Sequence, residues 1–341
     1  MFLNRSSLEL ACSALCSLVL IFISVPAAPQ VLRDGCGHSD PDISIAACTK
    51  RIQADTADLK LGKMTAPSRL ATDYDHRGVA YANKRLYEQA VADYTQAISL
   101  LPKTFPIAYF NRANAYYQQG LDDQAISDYT MAISLAPSGD DPDVMLADAH
   151  NYRGNAYERN GFFEEAIADF TMAIALKPNF EDAYGHRGNR YLGKALYDLA
   201  IADFSKVISL NSRDFVSYYN RALAYQYKGL YEEAINDLTK EISLAPVDTG
   251  AYDLRGLTYA HKGLYDQAIA DYTQEIALNA KNIPLHPGFA SLYASAYRNR
   301  ADAYEKKGAS DAAIADYRAA LKLDSHMQAA KDGLTRLSAM P

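Results

Sequence analysis

The sequence predicts an all-α chain made of stacked antiparallel helix pairs, and three observations predict it. At 341 residues the chain is more than twice a typical domain of about 150 residues, so an extended array or several domains is expected. One pattern returns seven times, with a spacing of 34 residues between its closest copies. The positions that return are small or aromatic and fall at helical spacing.

The chain opens on an address. Arg5 begins it, an almost apolar stretch runs from Leu10 to Val25, and small residues follow at Ala27 and Ala28, the order of a secretory signal. Residues 1–27 are read as that signal, cut after Ala27, with Ala28 the second choice. The apolar stretch of 16 residues falls short of the ~20 that a helix needs to cross a bilayer. Cleavage is therefore preferred to an anchor through residues 10–25, and membrane contact is expected only if the segment is retained. The expected location is outside the cytosol, periplasmic or secreted.

Cysteine use agrees with export. Two of the four cysteines leave with the signal, and Cys36 and Cys48 remain. An even pair outside the cytosol reads as a disulfide, which should stabilise by roughly 3 kcal/mol for a loop of this size. A redox dithiol would want the Cys-x-x-Cys spacing, and eleven intervening residues argue against it.

Composition excludes other classes. With 49% hydrophobic and 22% charged residues the chain is not disordered throughout. Lys plus Arg is 34 against 41 Asp plus Glu, for a net charge of −7. Nucleic acid and anionic membrane surfaces both call for a basic footprint, so neither is an expected partner.

The repeating units span 71–104, 106–139, 147–180, 181–214, 215–248, 249–282 and 294–327. Position 8 is always small: Gly78, Ala113, Gly154, Gly188, Ala222, Gly256 and Ala301. Position 11 is always tyrosine, from Tyr81 to Tyr304, and position 20 always alanine, from Ala90 to Ala313. Position 24 is Tyr94, Tyr129, Phe170, Phe204, Leu238, Tyr272 or Tyr317. Positions 4, 8 and 11 share one face of a first helix, and 20, 24 and 27 one face of a second. Small residues at 8 and 20 let the backbones approach, and the rings fill the space around them. Glycine near position 15 (Gly120, Gly161, Gly229, Gly263, Gly308) makes the turn, and Pro102, Pro137, Pro178 and Pro246 end second helices. Such a hairpin cannot bury both faces alone and must stack on its neighbours.

The pattern resembles the tetratricopeptide repeat family over 71–327. The usual tryptophan at position 4 is replaced by Tyr74, Tyr109, His150, Tyr184, Tyr218, Tyr252 and Tyr297, which accounts for the absence of tryptophan. The resemblance implies a right-handed superhelical solenoid whose first helices line a concave, partner-binding groove. Residues 28–70 then read as a degenerate leading repeat: Ser44–Ile52 aligns with Ala90–Ile98, Cys48 takes the aromatic position, and a disulfide to Cys36 would staple the unit. Residues 328–341 read as a capping helix. Extra residues fall at 139–146, where Asp141-Pro142 signals an early helix start, and at Asn282 to Tyr293, where Pro284 and Pro287 suit a functional loop.

Few residues suggest chemistry. Each unit carries Arg at position 7 and Asp at position 23, from Arg77 and Asp93 to Arg300 and Asp316. The matched numbers favour an ion pair between helices over a phosphate or carboxylate track. The seven histidines are scattered, and His150 takes a core tyrosine position, so no metal site is expected. The acidic stretch 138–143 lacks the alternating ligands and central glycine of a calcium loop. With no phosphate loop, nucleophile elbow or Cys/His pair, no enzyme and no cofactor is expected.

In the family, positions 2, 5, 9, 12 and 13 face the groove. Carried over, they give Phe110, Asn114 and Tyr117; Asn151, Asn155, Glu158 and Arg159; Asn189; and Tyr219, Leu223, Gln226 and Tyr227. Asparagine amides beside aromatics suit an extended peptide. Repeats six and seven look different, with Arg298, Asp302, Glu305 and Lys306 reading as a plain charged face. Asp75, His76, Asp148 and Asp182 stand where family members that grip a C-terminal carboxylate carry Lys and Arg, so that subclass is disfavoured. The expectation is a non-catalytic scaffold of the cell envelope, holding a protein or peptide in its groove. The alternative is a glycan-binding or accessory module of a cell-wall enzyme system. A peptide reader should depend on Asn114 and Asn155, a sugar reader on Tyr117, Tyr219 and Tyr227.

Overall fold

The computed structural model describes residues 35–63, 66–136, 143–282 and 290–338. The leader with its alternative anchor stretch, Pro137, the 138–142 part of the acidic stretch and the 283–289 part of the proline-containing loop lie outside them. Among the described residues every regular element is helical, and consecutive helices within each of two compact units pack together. The units divide after Pro102.

The first unit holds α1 (Pro41–Lys60), α2 (Pro67–Asn83) and α3 (Tyr87–Leu100). Asp40 caps α1, its carboxylate accepting from the backbone N–H of Asp42 and Ile43. Cys36 and Cys48 form the expected disulfide, fully buried against Ile52 and Leu70. The staple therefore ties the segment before α1 to α1 itself. Arg51 pairs with Asp73, and Arg69 with Asp55, so buried acids of α1 and α2 are answered across the helix pair.

The second unit, from Lys103, holds α4 (Pro106–Gln118), α5 (Asp122–Leu135), α6 (Asp143–Arg159), α7 (Phe163–Leu176), α8 (Glu181–Gly193) and α9 (Tyr197–Leu210). It continues with α10 (Phe215–Tyr227), α11 (Tyr231–Leu244), α12 (Thr249–His261), α13 (Tyr265–Asn282), α14 (Ala290–Lys307), α15 (Ser310–Leu323) and α16 (Gln328–Ser338). α6 starts four residues ahead of Ala147, as the helix-start signal in the insertion suggests. Small and aromatic positions meet as their spacing demands: a Cβ on Gly154 would lie 2.7 Å from the Phe170 ring, and one on Gly256 2.7 Å from Tyr272. The turns close by a bond from the N–H at position 16 to the tyrosine carbonyl at position 11, as in Phe162 to Tyr157 at 2.9 Å. Position 15 is left-handed in all seven repeats, including two that lack glycine, Arg85 and Ala195, both at φ 59°.

The paired Arg and Asp side chains are structural. In each repeat the arginine donates from Nε and Nη2 to both aspartate oxygens, at 2.6–2.9 Å. Its guanidinium lies beside the tyrosines at positions 4 and 11, as in Arg187 with Tyr184 and Tyr191 at 5.6 Å each. The remaining nitrogen donates to a hydroxyl on the preceding second helix: Arg187 to Thr171, Arg221 to Ser205, Arg255 to Thr239. One side chain thus closes its own hairpin and registers it on the one before. In repeat three His150 replaces the tyrosine, with Nδ1 2.7 Å from Asp169 Oδ1. Burial pushes Asp169 up, but bonds from Arg153 and His150 outweigh it and hold the carboxyl below its usual range.

Candidate functional site

First helices of the second unit meet side chain to side chain, so one continuous face runs along them. Asn220 donates to Asn189 Oδ1 at 3.0 Å, linking α10 to α8. Thr258 donates to Gln226 Oε1 at 3.1 Å, linking α12 to α10. Glu158 of α6 accepts Arg190 of α8 at 2.9 Å, with His186 Nδ1 at 3.4 Å. Of the positions that the resemblance assigns to a groove, Asn189, Gln226 and Glu158 take part in these contacts.

The ends of the face are largely occupied from within. Tyr129 donates to Asn114 Oδ1 at 2.6 Å, and Phe110 packs on Tyr129 and Tyr152 with ring centroids 5.9 and 6.1 Å away. Arg159 lies 4.4 Å over the Tyr117 ring and donates to its carbonyl. At the far end Tyr317 donates to Asp302 and Glu305, Arg336 clamps Glu305, and Arg298 pairs with Asp302. Glu305 is therefore taken by Arg336 of the last helix, and Arg298 and Asp302 answer each other within repeat seven. Its mates on the preceding helices behave alike, since Asn299 of α14 donates to Asp253 of α12 at 2.8 Å.

The middle is different. Asn151 and Asn155 on α6 each bury a carboxamide oxygen that has no hydrogen-bond partner among the described residues. On α8 a Cβ added at Gly185 or Gly193 would meet nothing within 4 Å, so the helix backbone is bare along this face. Leu192 and Leu223 are half-buried beside it. Tyr227 is 49% exposed, with one ring face stacked on Tyr197 at 5.3 Å. Tyr219 lies deeper, packed against the core of α10–α12. Burial, then Asp253, Asp248 and Glu241, drives its hydroxyl pKa well up. On the α6 side burial holds Asp148 above the usual carboxylate range against the pull of Lys177, and Asp182 adds to it. The same burial, with Asp148 and Asp182, pushes Tyr152 up to about 12. The central face thus combines unpaired amides, bare backbone and apolar edges.

No group of three His, Cys, Asp or Glu among the described residues is arranged to hold a metal ion. No helix among them is long and apolar enough to cross a membrane.

With the helix pairs and this face in view, the comparisons fall into place. Tetratricopeptide repeat models match residues 106–138, 147–180, 219–284 and 294–326, and a further TPR repeat model matches 78–120. The chain belongs to the tetratricopeptide repeat family, whose members are generally protein–protein interaction scaffolds and typically non-catalytic. Among solved structures it is similar to the C-terminal part of a TPR repeat-containing protein from Cytophaga hutchinsonii, at 22% identity and a TM-score of 0.63, covering 75% of this chain and 98% of that one. It is also similar to a tetratricopeptide repeat protein from Parabacteroides merdae, at 19% identity and a TM-score of 0.50, covering 79% and 98%. A third, YrrB, described as a TPR protein with an unusual peptide-binding site, shares 21% identity at a TM-score of 0.50, covering 61% and 96%. No curated protein matches the sequence significantly.

Two features of the face were not read from the sequence. Gly185 and Gly193 register in a sequence only as weak helix formers, and nothing in their spacing marks them as open. Pairing of Asn189 with Asn220 joins two polar positions that are separate in any one repeat. In the aligned repeats positions 5 and 13 vary widely in size, so a glycine there does not stand out as an open site.

Proposed function

We propose that the protein is an exported, non-catalytic scaffold that holds an extended polypeptide across α6, α8 and α10. The observation that carries this reading is the central face, where Gly185 and Gly193 leave the α8 backbone bare and Asn155, half-buried on α6, holds an amide oxygen with no partner among the described residues, as does the deeper Asn151. An extended chain offers backbone N–H groups to such oxygens, and bare helix backbone lets it come close. Leu192, Leu223 and Tyr227 then cover its side chains. The sugar-stacking alternative gains little support here, because Arg159 covers Tyr117 and Tyr219 is partly buried against the core of α10–α12, while Tyr227 is 49% exposed with one ring face already stacked on Tyr197. Export rests on the leader sequence, with mature protein beginning at Ala28.

The test is capture from envelope extracts by residues 28–341, beside a variant carrying Asn155→Ala and Gly185→Leu. A Cβ at Gly185 meets nothing within 4 Å, so the leucine starts into open space. Mass spectrometry identifies what is retained, and circular dichroism confirms folding. A polypeptide held by the native face and lost from the variant is the expected result. Equal capture by both overturns the placement of the site, and retained glycan without protein overturns the ligand class.

A further inference from the structure

Position 27 joins each second helix to the first helix that follows, as Ala173 does by packing with Ala147, Phe180 and Ala183. Five repeats keep it small or aliphatic: Ala97, Ala132, Ala173, Val207 and Ala320. Repeats five and six place glutamate there, Glu241 on α11 and Glu275 on α13. Both carboxyls are inside the fold, 0% and 6% exposed. A charged carboxylate so placed is very costly unless a cation answers it.

No cation does. Arg255 of α12 is the basic group that acts on Glu241, yet its nitrogens are committed to Asp271 and Thr239. The other charged group facing Glu241 is Asp248, which caps the start of α12, and the neighbouring hydroxyl is that of Tyr219 on α10. Glu275 faces Asp253 of α12 and accepts a weak bond from Asn279 on its own helix at 3.4 Å. Asp253, itself pushed up by burial, takes the Asn299 amide N–H of α14 and feels Arg298, and its charge disfavours ionisation of Glu275. Tyr272, on the same helix as Glu275, lies within reach of both acids.

We propose that Glu241 and Glu275 are protonated in the folded array and act as a proton-dependent latch between repeats five, six and seven, loosening when they ionise. Burial, followed by Asp248, pushes Glu241 up to about 8, and burial, followed by Asp253, pushes Glu275 up to about 9. Both titrate near 4.5 in the unfolded chain. The folded state therefore holds these protons more tightly. Their contribution is complete below the unfolded value and is lost as pH rises through about 8 and about 9. Over that interval the opening equilibrium should shift by roughly tenfold per pH unit for each carboxyl. A solenoid transmits this to neighbouring repeats only, so the loosening is local to α11–α14.

Hydrogen exchange of the mature chain, corrected for intrinsic rates, tests the latch between about pH 6 and about pH 9. Helices α6–α8 of the same molecule serve as the internal reference. In the native protein α11–α14 should lose at least about tenfold in protection relative to α6–α8. Glu241→Gln with Glu275→Gln, which keeps the shape and removes the titration, should hold the ratio constant. If the glutamines do not fold, Glu241→Ala with Glu275→Ala restores the residue other repeats carry and is read in their place. A native ratio that does not change with pH overturns the proposal, as does an equal fall in the non-titrating variants. The readout is independent of any groove ligand, so it stands or falls apart from the scaffold reading.

Discussion

A single methyl group has opposite effects at two glycines of this chain. Gly154 faces the Phe170 ring, and a Cβ there would stand 2.7 Å from it, well inside contact distance. Gly154→Ala should destabilise by about 1–3 kcal/mol through overpacking, less the ~1 kcal/mol that alanine returns as a better helix former. Gly185 also sits in a first helix but faces open space. Gly185→Ala should stabilise by about 0.5–1 kcal/mol. Chemical denaturation of both variants checks the signs, and two shifts in the same direction would contradict the packing described. Self-alignment revealed that position 8 must be small. It did not reveal Gly185, because an isolated glycine shows in sequence only as a helix defect. The same limit hid the hydroxyls at position 25. Thr171 and Ser205 look like ordinary exposed residues until Arg187 and Arg221 reach back to them from the next repeat.

Between residues and the array stands the hairpin, and its turn was legible from five glycines. The structure extends the rule to Arg85 and Ala195, which adopt the same left-handed conformation without the freedom of glycine. An L-residue there costs roughly 1–2 kcal/mol, partly offset by its smaller loss of chain entropy. Ala195→Gly should therefore stabilise the repeat built from α8 and α9 by about 0.5–1 kcal/mol, read as a higher denaturation midpoint. A lower midpoint would mean that the turn is not strained. The leading segment depends on a different device. Its disulfide was legible because the expected cut after Ala27 would leave an even pair of cysteines, and the structure adds that both are buried against Ile52 and Leu70. Cys36→Ala with Cys48→Ala should cost the first unit roughly 3 kcal/mol, seen as faster hydrogen exchange in α1. Unchanged exchange there would remove the staple from the account of this unit. Which residues form the working face was less legible than either device. Offsets marked candidates one position at a time, whereas bonds from neighbouring helices, within the repeat or between repeats, decide which of them remain unpaired. Asn155 keeps its oxygen unpartnered, while Asn114 has given its own to Tyr129.

Across the second unit the bonding is that of neighbours, each first helix registered on the one before by arginine and hydroxyl. Stability in such an array is a sum of repeat terms and interface terms, so damage at one end should stay near that end. The C-terminal helix tests this directly. Ala330, Gly333 and Leu337 of α16 cover Tyr317, closely enough that a Cβ on Gly333 would fall 2.4 Å from the ring. Arg336 also clamps Glu305, whose carboxyl that bond holds below its usual range. Truncation before Gln328 uncovers the tyrosine and frees Glu305, which should cost the last repeat roughly 3 kcal/mol or more, mainly from lost apolar burial. Exchange should accelerate in α14 and α15 and stay unchanged in α6–α10, where the proposed polypeptide site lies. Ligand capture by the truncated chain should accordingly persist. Loss of protection along the whole second unit would mean that the repeats fold as one cooperative block, and the confinement of the proton latch to α11–α14 would then have to be abandoned as well.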